Sequence, residues 1–188
     1  MTSFDISVCS SSDIDAVSDV MESISEDIHD NDLFCADDRD FILRHIVSEG
    51  FVLKAMADGR VVAFLIVRYP HGAEDNLGRD GGLSGNDLDV VFHVESVAVL
   101  PEYRGNGLQR ELVGIGEQRA VSDGYTEAYA TVSPRNSHSL DNMLKLGYEV
   151  LREAPKYGSV RLILHKSMGP CSRVRGFACG RAFRDVDW

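Results

Sequence analysis

The junction HVESVAVLPEYRGNGLQRELVGIGEQRA constrains this chain more than any other stretch. A run of β-forming residues passes through Pro101 and a glycine-containing turn straight into a helical pattern that begins at about Leu108 and ends near Ser122. Gly105 and Gly107 can take backbone angles closed to other residues and let a ligand approach the main chain closely. The helix that follows offers unpaired N–H groups and the positive end of its dipole, so a diphosphate would fit there. An ordinary strand-to-helix turn would need the same two glycines, and on the glycines alone the two readings stand level. Two nucleotide motifs are excluded. Arg110 stands where the third glycine of a dinucleotide-binding G-x-G-x-x-G would fall, and no G-K-S/T follows to make a phosphate-cradling loop.

The pattern on either side is regular enough to order the elements. FDISVCS alternates like a strand, and the Ser/Asp cluster of residues 11–13 supplies N-cap candidates before Ile14, Val17, Met21, Ile24 and Ile28 recur at helical spacing. A second helix is expected from about Asp38 to Ser48, with Gly50 just after its end. FVLKAMA and VVAFLIVRY, split by Asp58-Gly59, read as an antiparallel hairpin. Residues 71–87, with five glycines and no apolar period, read as a long exposed loop. The strand DVVFHVESVAVL and the helix of the junction follow. Then come the strand TEAYATV, a helix over 136–146 ended by Gly147, and the strands YEVLRE and SVRLILHK around a turn from Pro155 to Gly158. This alternation indicates an α/β (α+β) fold, one sheet covered by helices. Residues 1–168 are expected to form a single domain, leaving 169–188, with four arginines and three glycines but no period, as a tail.

Charge separates the two halves. The 188 residues carry 30 acids against 19 bases, a net charge of −11 that a nucleic-acid backbone would repel, so no nucleic-acid partner is expected. Residues 1–100 hold 20 acids and 6 bases whereas 101–188 hold 10 and 13, which assigns an anionic ligand to the second half. The longest apolar stretch, Val61 to Val67, is seven residues, far below the roughly 20 that cross a bilayer. With no signal-peptide pattern in MTSFDISVCSSSDID, the expectation is no membrane partner and a cytoplasmic location. Cys9, Cys35, Cys171 and Cys179 fit neither zinc spacing nor a disulfide framework and read as free thiols. His29, His45, His71, His138 and His165 show no paired ligand spacing, so no metal is expected. Phe51, Phe64 and Phe92 read as core.

The segment Arg104-Gly105-Asn106-Gly107-Leu108-Gln109, between a strand and a helix, resembles the Q/R-x-x-G-x-G/A signature of the GNAT superfamily of acyl-CoA N-acyltransferases. The approach VAVLPEYRG and the element order from Phe4 to Lys166 are also similar to that family's. The resemblance implies a mixed, mostly antiparallel central sheet flanked by helices and splayed at the strand before the diphosphate loop. It implies acetyl-CoA as co-substrate, held by main-chain N–H groups from Arg104 to Gln109, with Arg104 adding charge. Val97 and Val99 would pair with the pantetheine arm and polarise the thioester carbonyl, and Asn136 would touch the coenzyme. Asn136 also stands where a plain N-cap is expected. Gln109 departs from the family's Gly/Ala.

Acylating an amine requires a neutral nucleophile, yet a free alkyl amine titrates near about 10, so a base must take a proton. His93 and Glu95 alternate in their strand and leave the same face. Glu95 is read as the base, directly or through water, with His93 as its partner; a structural carboxylate at the strand centre is the other reading. The tyrosine with which many members of the family protonate the leaving thiolate is replaced here by Met143, which leaves solvent to protonate it, or Tyr157 or Asn142 as substitutes. The acidic stretches EDIHDNDLF and ADDRDF suit a cationic amine acceptor, small molecule or peptide, although solvated helix faces look the same. The expected activity is acetyl transfer by direct attack in a ternary complex. The alternatives are an acyl-CoA-binding regulatory module without turnover, suggested by Met143 and Gln109, and an adaptor without coenzyme. The 169–188 tail could cover the coenzyme phosphates, contact a second copy in a homodimer, or stay loose.

Overall fold

The computed structural model describes residues 3–28, 30, 33, 34 and 36–169. In chain order the elements are β1 (Asp5–Val8), α1 (Ile14–Ile28), α2 (Arg39–Val47), β2 (Gly50–Ala57), β3 (Arg60–Arg68), β4 (Val91–Val99), α3 (Leu108–Ser122), β5 (Glu127–Val132), α4 (Ser137–Lys145), β6 (Glu149–Lys156) and β7 (Ser159–Ser167). This is the expected order. The greater part of the 169–188 segment, with Cys35, Cys171, Cys179 and His29, lies outside the described residues.

All seven strands form one sheet in the order β1-β2-β3-β4-β5-β7-β6, antiparallel except where β4 meets β5. β3 is buried throughout Val61–Val67, which is why its apolar run shows no alternation: helices and loops cover both of its faces. α1 buries Ile14, Val17, Val20, Met21 and Ile24 along one stripe. α2 is capped as expected, with Asp38 Oδ1 accepting from the Phe41 N–H at 2.7 Å. α3 lies close on the sheet because Gly116 faces Leu65 and Val67, where a Cβ would approach Leu65 Cδ2 to 2.5 Å. Among the described residues no helix is long and apolar enough to cross a membrane.

Two expectations are corrected. The 71–87 segment is exposed over most of its length but is not wholly an exposed loop: it folds into short 3₁₀ turns at Leu77–Arg79 and Gly85–Val90 and buries Asn76 and Leu77, with Leu88 just beyond it. Leu77 joins Val91, Tyr129 and Ile163 in a small second core, and Asp80 pairs with Arg152 and Lys156 of β6. The glycines hid this because the buried residues follow no regular period. The turn between β6 and β7 is also shorter than expected, being Tyr157-Gly158 with φ of 53° and 78°. Pro155 stays within β6, opposite Val160, which an edge strand permits because one of its sides needs no N–H donor.

Leu112 has no exposed surface and sits in the main core. Leu112→Ala is expected to lower the unfolding free energy by about 2–5 kcal/mol, read from urea denaturation monitored by circular dichroism.

Candidate active site

β4 and β5 run parallel from Val91↔Glu127 to Val94↔Ala130 and then part. β5 continues beside β7 through Thr131 and Val132, while β4 keeps β3 as its partner through Val99. The Leu100 N–H donates to the Val62 carbonyl at 3.0 Å. Because main-chain groups alternate sides along an antiparallel pair, those of Ala98 and Ser96 also face β3, and those of Val97 and Val99 face the gap that β5 has left. A groove of about 690 Å³ runs from the start of α3 past Val97 and Val99 to Arg135 and Asn136. It adjoins a cavity of about 130 Å³ lined by Asp37, Glu95, Met143, Tyr157 and Arg161. Leu33, Phe34, Val97, Asn136 and Ser139 line both hollows.

The turn at the mouth of the groove is built from its glycines. Gly105 and Gly107 have φ of 82° and 80°, and a Cβ at Gly105 would meet nothing, so the requirement there is conformational rather than steric. Gly107 is the N-cap of α3 and supplies no side-chain acceptor, which leaves the amides of Leu108, Gln109 and Arg110 without intrahelical partners. Arg104 donates from Nε to the Val99 carbonyl at 3.1 Å and pairs with Asp27 at 3.0 Å. Asn106 turns its side chain back on the Tyr103 carbonyl at 3.0 Å. Gln109 is held against α4, its Nε2 donating to Ser139 Oγ at 3.2 Å and its Oε1 accepting from Asn142 at 2.8 Å. Asn136 caps α4, with Oδ1 accepting from the Ser139 N–H at 3.0 Å, and its Nδ2 donates to the Leu33 carbonyl at 3.4 Å.

Glu95 occupies a β-bulge. Ser96 pairs with Ile66 and Val94 with Val67, so Glu95 is the extra residue of β4 at the point where the strands diverge. Its side chain is 12% exposed and lines the cavity. His93 Nδ1 lies 3.3 Å from Glu95 Oε2, within ion-pair range but off the line of a strong hydrogen bond. His93 itself is 1% exposed, does not line either hollow, and accepts the Leu77 N–H on Nε2 at 3.0 Å. Burial alone would push the Glu95 carboxyl up, but His93, and behind it Arg68 and His45, outweigh burial and hold it below the ordinary carboxylate range. Asp37 behaves oppositely. Burial and the charges of Glu95 and Asp38 push its carboxyl up to about 6, although Ser96 Oγ donates to it at 2.6 Å. At Tyr157, partial burial and the carboxylates of Glu95, Asp75 and Asp37 push the phenol well up.

A model of the acetyltransferase (GNAT) family matches residues 17–148. The chain belongs to the GNAT family. That family makes it an acyl-CoA-dependent N-acetyltransferase, in keeping with the mixed sheet and helices described above. Aminoglycoside N(6')-acetyltransferase type 1 of Salmonella typhimurium is 28% identical over 122 residues, 64% of this chain and 75% of the relative. An acetyltransferase of the GNAT family from Streptococcus pneumoniae superimposes with a TM-score of 0.69 at 15% identity, over 89% of this chain and 100% of that one. A Salmonella typhimurium protein described as an acetyltransferase, with its cofactor acetyl-CoA, gives a TM-score of 0.64 at 17% identity, over 95% and 100%.

In this GNAT chain the structure brings Val97, Val99, Arg104, Gly105, Gly107, Leu108, Gln109 and Asn136 to one groove, with Asn106 in the turn at its mouth, and Glu95 to the adjoining cavity. His93 is the exception, one step removed behind Glu95. Sequence reasoning placed Asp37 only within an acidic cluster; the one signal that could have singled it out is its position just before the α2 cap, where it faces β4 rather than solvent. Because its folded pKa of about 6 exceeds the ordinary value of 3.8, the folded state holds the proton more tightly, and stability is lost as pH rises through that window. Asp37→Asn, whose amide oxygen still accepts from Ser96, is expected to gain thermal stability over wild type as pH rises from 4 to 7, measured as melting temperature against pH; a gap independent of pH would refute the assignment.

Proposed function

We propose that the protein transfers an acetyl group from acetyl-CoA to a primary amine of a small molecule or peptide, by direct attack in a ternary complex within the 1–168 domain. The observation that carries this reading is the continuous path from the uncapped start of α3, along the unpaired edge of β4, to the cavity at Glu95. The amides from Arg104 to Gln109 would hold the diphosphate at the helix start, where the dipole favours negative charge, and Arg104 would exchange Asp27 for a phosphate. Val97 and Val99 would pair with the pantetheine arm and donate toward the thioester carbonyl, where oxyanion charge develops. Asn136, which borders groove and cavity alike, would contact the coenzyme while capping α4. When bound, the coenzyme supplies an activated acyl carbon and a thiolate leaving group.

Glu95 is the proton acceptor for the attacking amine. Its depressed pKa keeps it ionised, which attracts an ammonium but makes it a weak base, so a water between the two suits it better than direct transfer. As the new C–N bond forms and the C–S bond breaks, the amine proton passes to Glu95 and on to solvent, and the departing thiolate takes a proton from solvent, because the raised phenol of Tyr157 is a weaker acid than a thiol. Asp37 beside Glu95 gives the cavity a second carboxylate and favours a cationic acceptor, as does the likeness to an aminoglycoside N-acetyltransferase. Met143, 1% exposed in the cavity wall and unable to donate, favours a second reading, a coenzyme-binding module without turnover.

Calorimetric titration with acetyl-CoA tests the coenzyme site. Micromolar binding is expected for wild type and at least about a tenfold loss for Gly107→Glu, whose carboxylate opposes the diphosphate, with unchanged circular dichroism as the control for folding. No binding to folded wild type would refute the proposal. An amine screen for thiol release then separates enzyme from module: Glu95→Gln is expected to cut kcat at pH 7 by about 10²-fold or more with coenzyme binding retained.

A further inference from the structure

We infer that the 71–90 excursion is a part of the active site that acts at one remove: the Leu77 N–H fixes which nitrogen of His93 carries the proton, and so keeps an N–H rather than a lone pair on the ring nitrogen nearest Glu95. The inference rests on the assignment of Glu95 as the proton acceptor. Its geometry stands on two contacts and on burial. A main-chain amide can only donate, so with Leu77 N 3.0 Å from His93 Nε2 that nitrogen must be an unprotonated acceptor. The ring proton then lies on Nδ1, the nitrogen 3.3 Å from Glu95 Oε2. Both Leu77 and His93 are buried, so water does not compete for either group.

The excursion is built to hold that amide still. Asn76, 1% exposed, accepts the Gly78 N–H on Oδ1 at 2.8 Å and donates from Nδ2 to the carbonyls of His71 and Leu88, one near each end of the segment. Asp75 forms a two-pronged pair with Arg68 at 2.7 and 3.0 Å, and Arg68 is the cross-strand partner of His93. Leu77 packs on Val91 and Tyr129, and Asp80 ties the middle of the excursion to β6. None of these groups lines the groove or the cavity, so the excursion sets the orientation of Glu95 without touching substrate. His93 is accordingly a positioning residue. The other titratable groups that act on Glu95 or share its cavity are Arg68 from β3, His45 from α2, Asp37 from the segment before α2, Tyr157 from the β6–β7 turn and Arg161 from β7, with Asp75 from the excursion itself paired to Arg68.

The test requires no acceptor substrate. Long-range ¹H–¹⁵N spectra of the full chain at pH 7 are expected to show His93 protonated on Nδ1 alone; protonation on Nε2, or on both nitrogens, would overturn the inference. Carboxyl ¹³C titration of Glu95 is the second readout. In His93→Gln, the side-chain oxygen can still accept near the Nε2 position while the donor toward Glu95 is gone, and the Glu95 midpoint is expected to rise by about half a pH unit or more. In His93→Asn, which keeps a donor near the Nδ1 position and loses the acceptor for Leu77, the midpoint should move less while the melting temperature falls. An unmoved Glu95 midpoint in folded His93→Gln would leave His93 with a structural role only. Asn76→Ala, which touches neither residue, is expected to mix the His93 tautomers; should it fail to fold, the wild-type spectrum and His93→Gln still decide. Loss of acetyl-CoA binding in calorimetry would count against the proposed function and not against this relay.

Discussion

The parting of β4 from β5 after Val94↔Ala130 is the constraint on which the site depends. A parallel pair that stayed in register would satisfy its own main-chain groups and leave nothing for a ligand. Here the pair separates where β4 carries a bulge at Glu95, and a bulge adds local twist to the strand that bears it. β5 is held back by β7, and β4 is held by β3, so each strand has a strong partner on its far side and the gap between them persists. Unpaired donors and acceptors inside a protein are costly unless something meets them. The edge at Val97 and Val99, where Arg104 meets the Val99 carbonyl, is therefore where the proposed function seats an extended polar ligand.

The helix start completes that logic at one end of the gap and the carboxylates complete it at the other. Gly107 leaves the first amides of α3 uncapped, where a serine or aspartate would have satisfied one of them and repelled or displaced an anion. At the opposite end, Glu95 and Asp37 lie close enough to influence each other, and their environments push them apart: cationic and imidazole neighbours favour the ionised form of Glu95, while burial next to Glu95 favours the protonated form of Asp37. Below about pH 6 a single negative charge is thus concentrated on the residue that faces the divergence point, and above it Asp37 adds a second. The anionic and cationic halves of the chain, visible as an imbalance between residues 1–100 and 101–188, come together across this gap through pairs such as Arg104 with Asp27 and Arg135 with Asp30.

Much of this was legible in the residues. The glycine turn and the strand-to-helix junction announced the groove, because φ above zero and an uncapped helix start are written in residue type. The eleven principal elements followed from period and capping, with Asp38, Asn136, Gly50 and Asp58-Gly59 at their boundaries. The 71–90 excursion was misread because its few buried residues, Asn76 and Leu77 together and Leu88 eleven positions on, follow no period, and Leu77 is held by packing on distant strands, which has no local signature. Pro155 was assigned to a turn because the edge position that tolerates it is a property of the whole sheet. His93 and Glu95 were correctly placed side by side, but only packing shows that one is enclosed beneath Leu77 and the other reaches the cavity.

The sequence by itself determined what depends on neighbours a few residues away: which segments are helix or strand, where an anion finds free amides, and which carboxylate stands at the centre of the strand before the turn. The tertiary structure alone decided what depends on residues far apart in the chain. It set the divergence of β4 from β5, the coupling of Asp37 to Ser96, and the enclosure of His93 by Leu77. Local residue type governs backbone conformation through sterics and hydrogen bonding, whereas the protonation and aim of a buried group are governed by the charges and amides that folding brings around it.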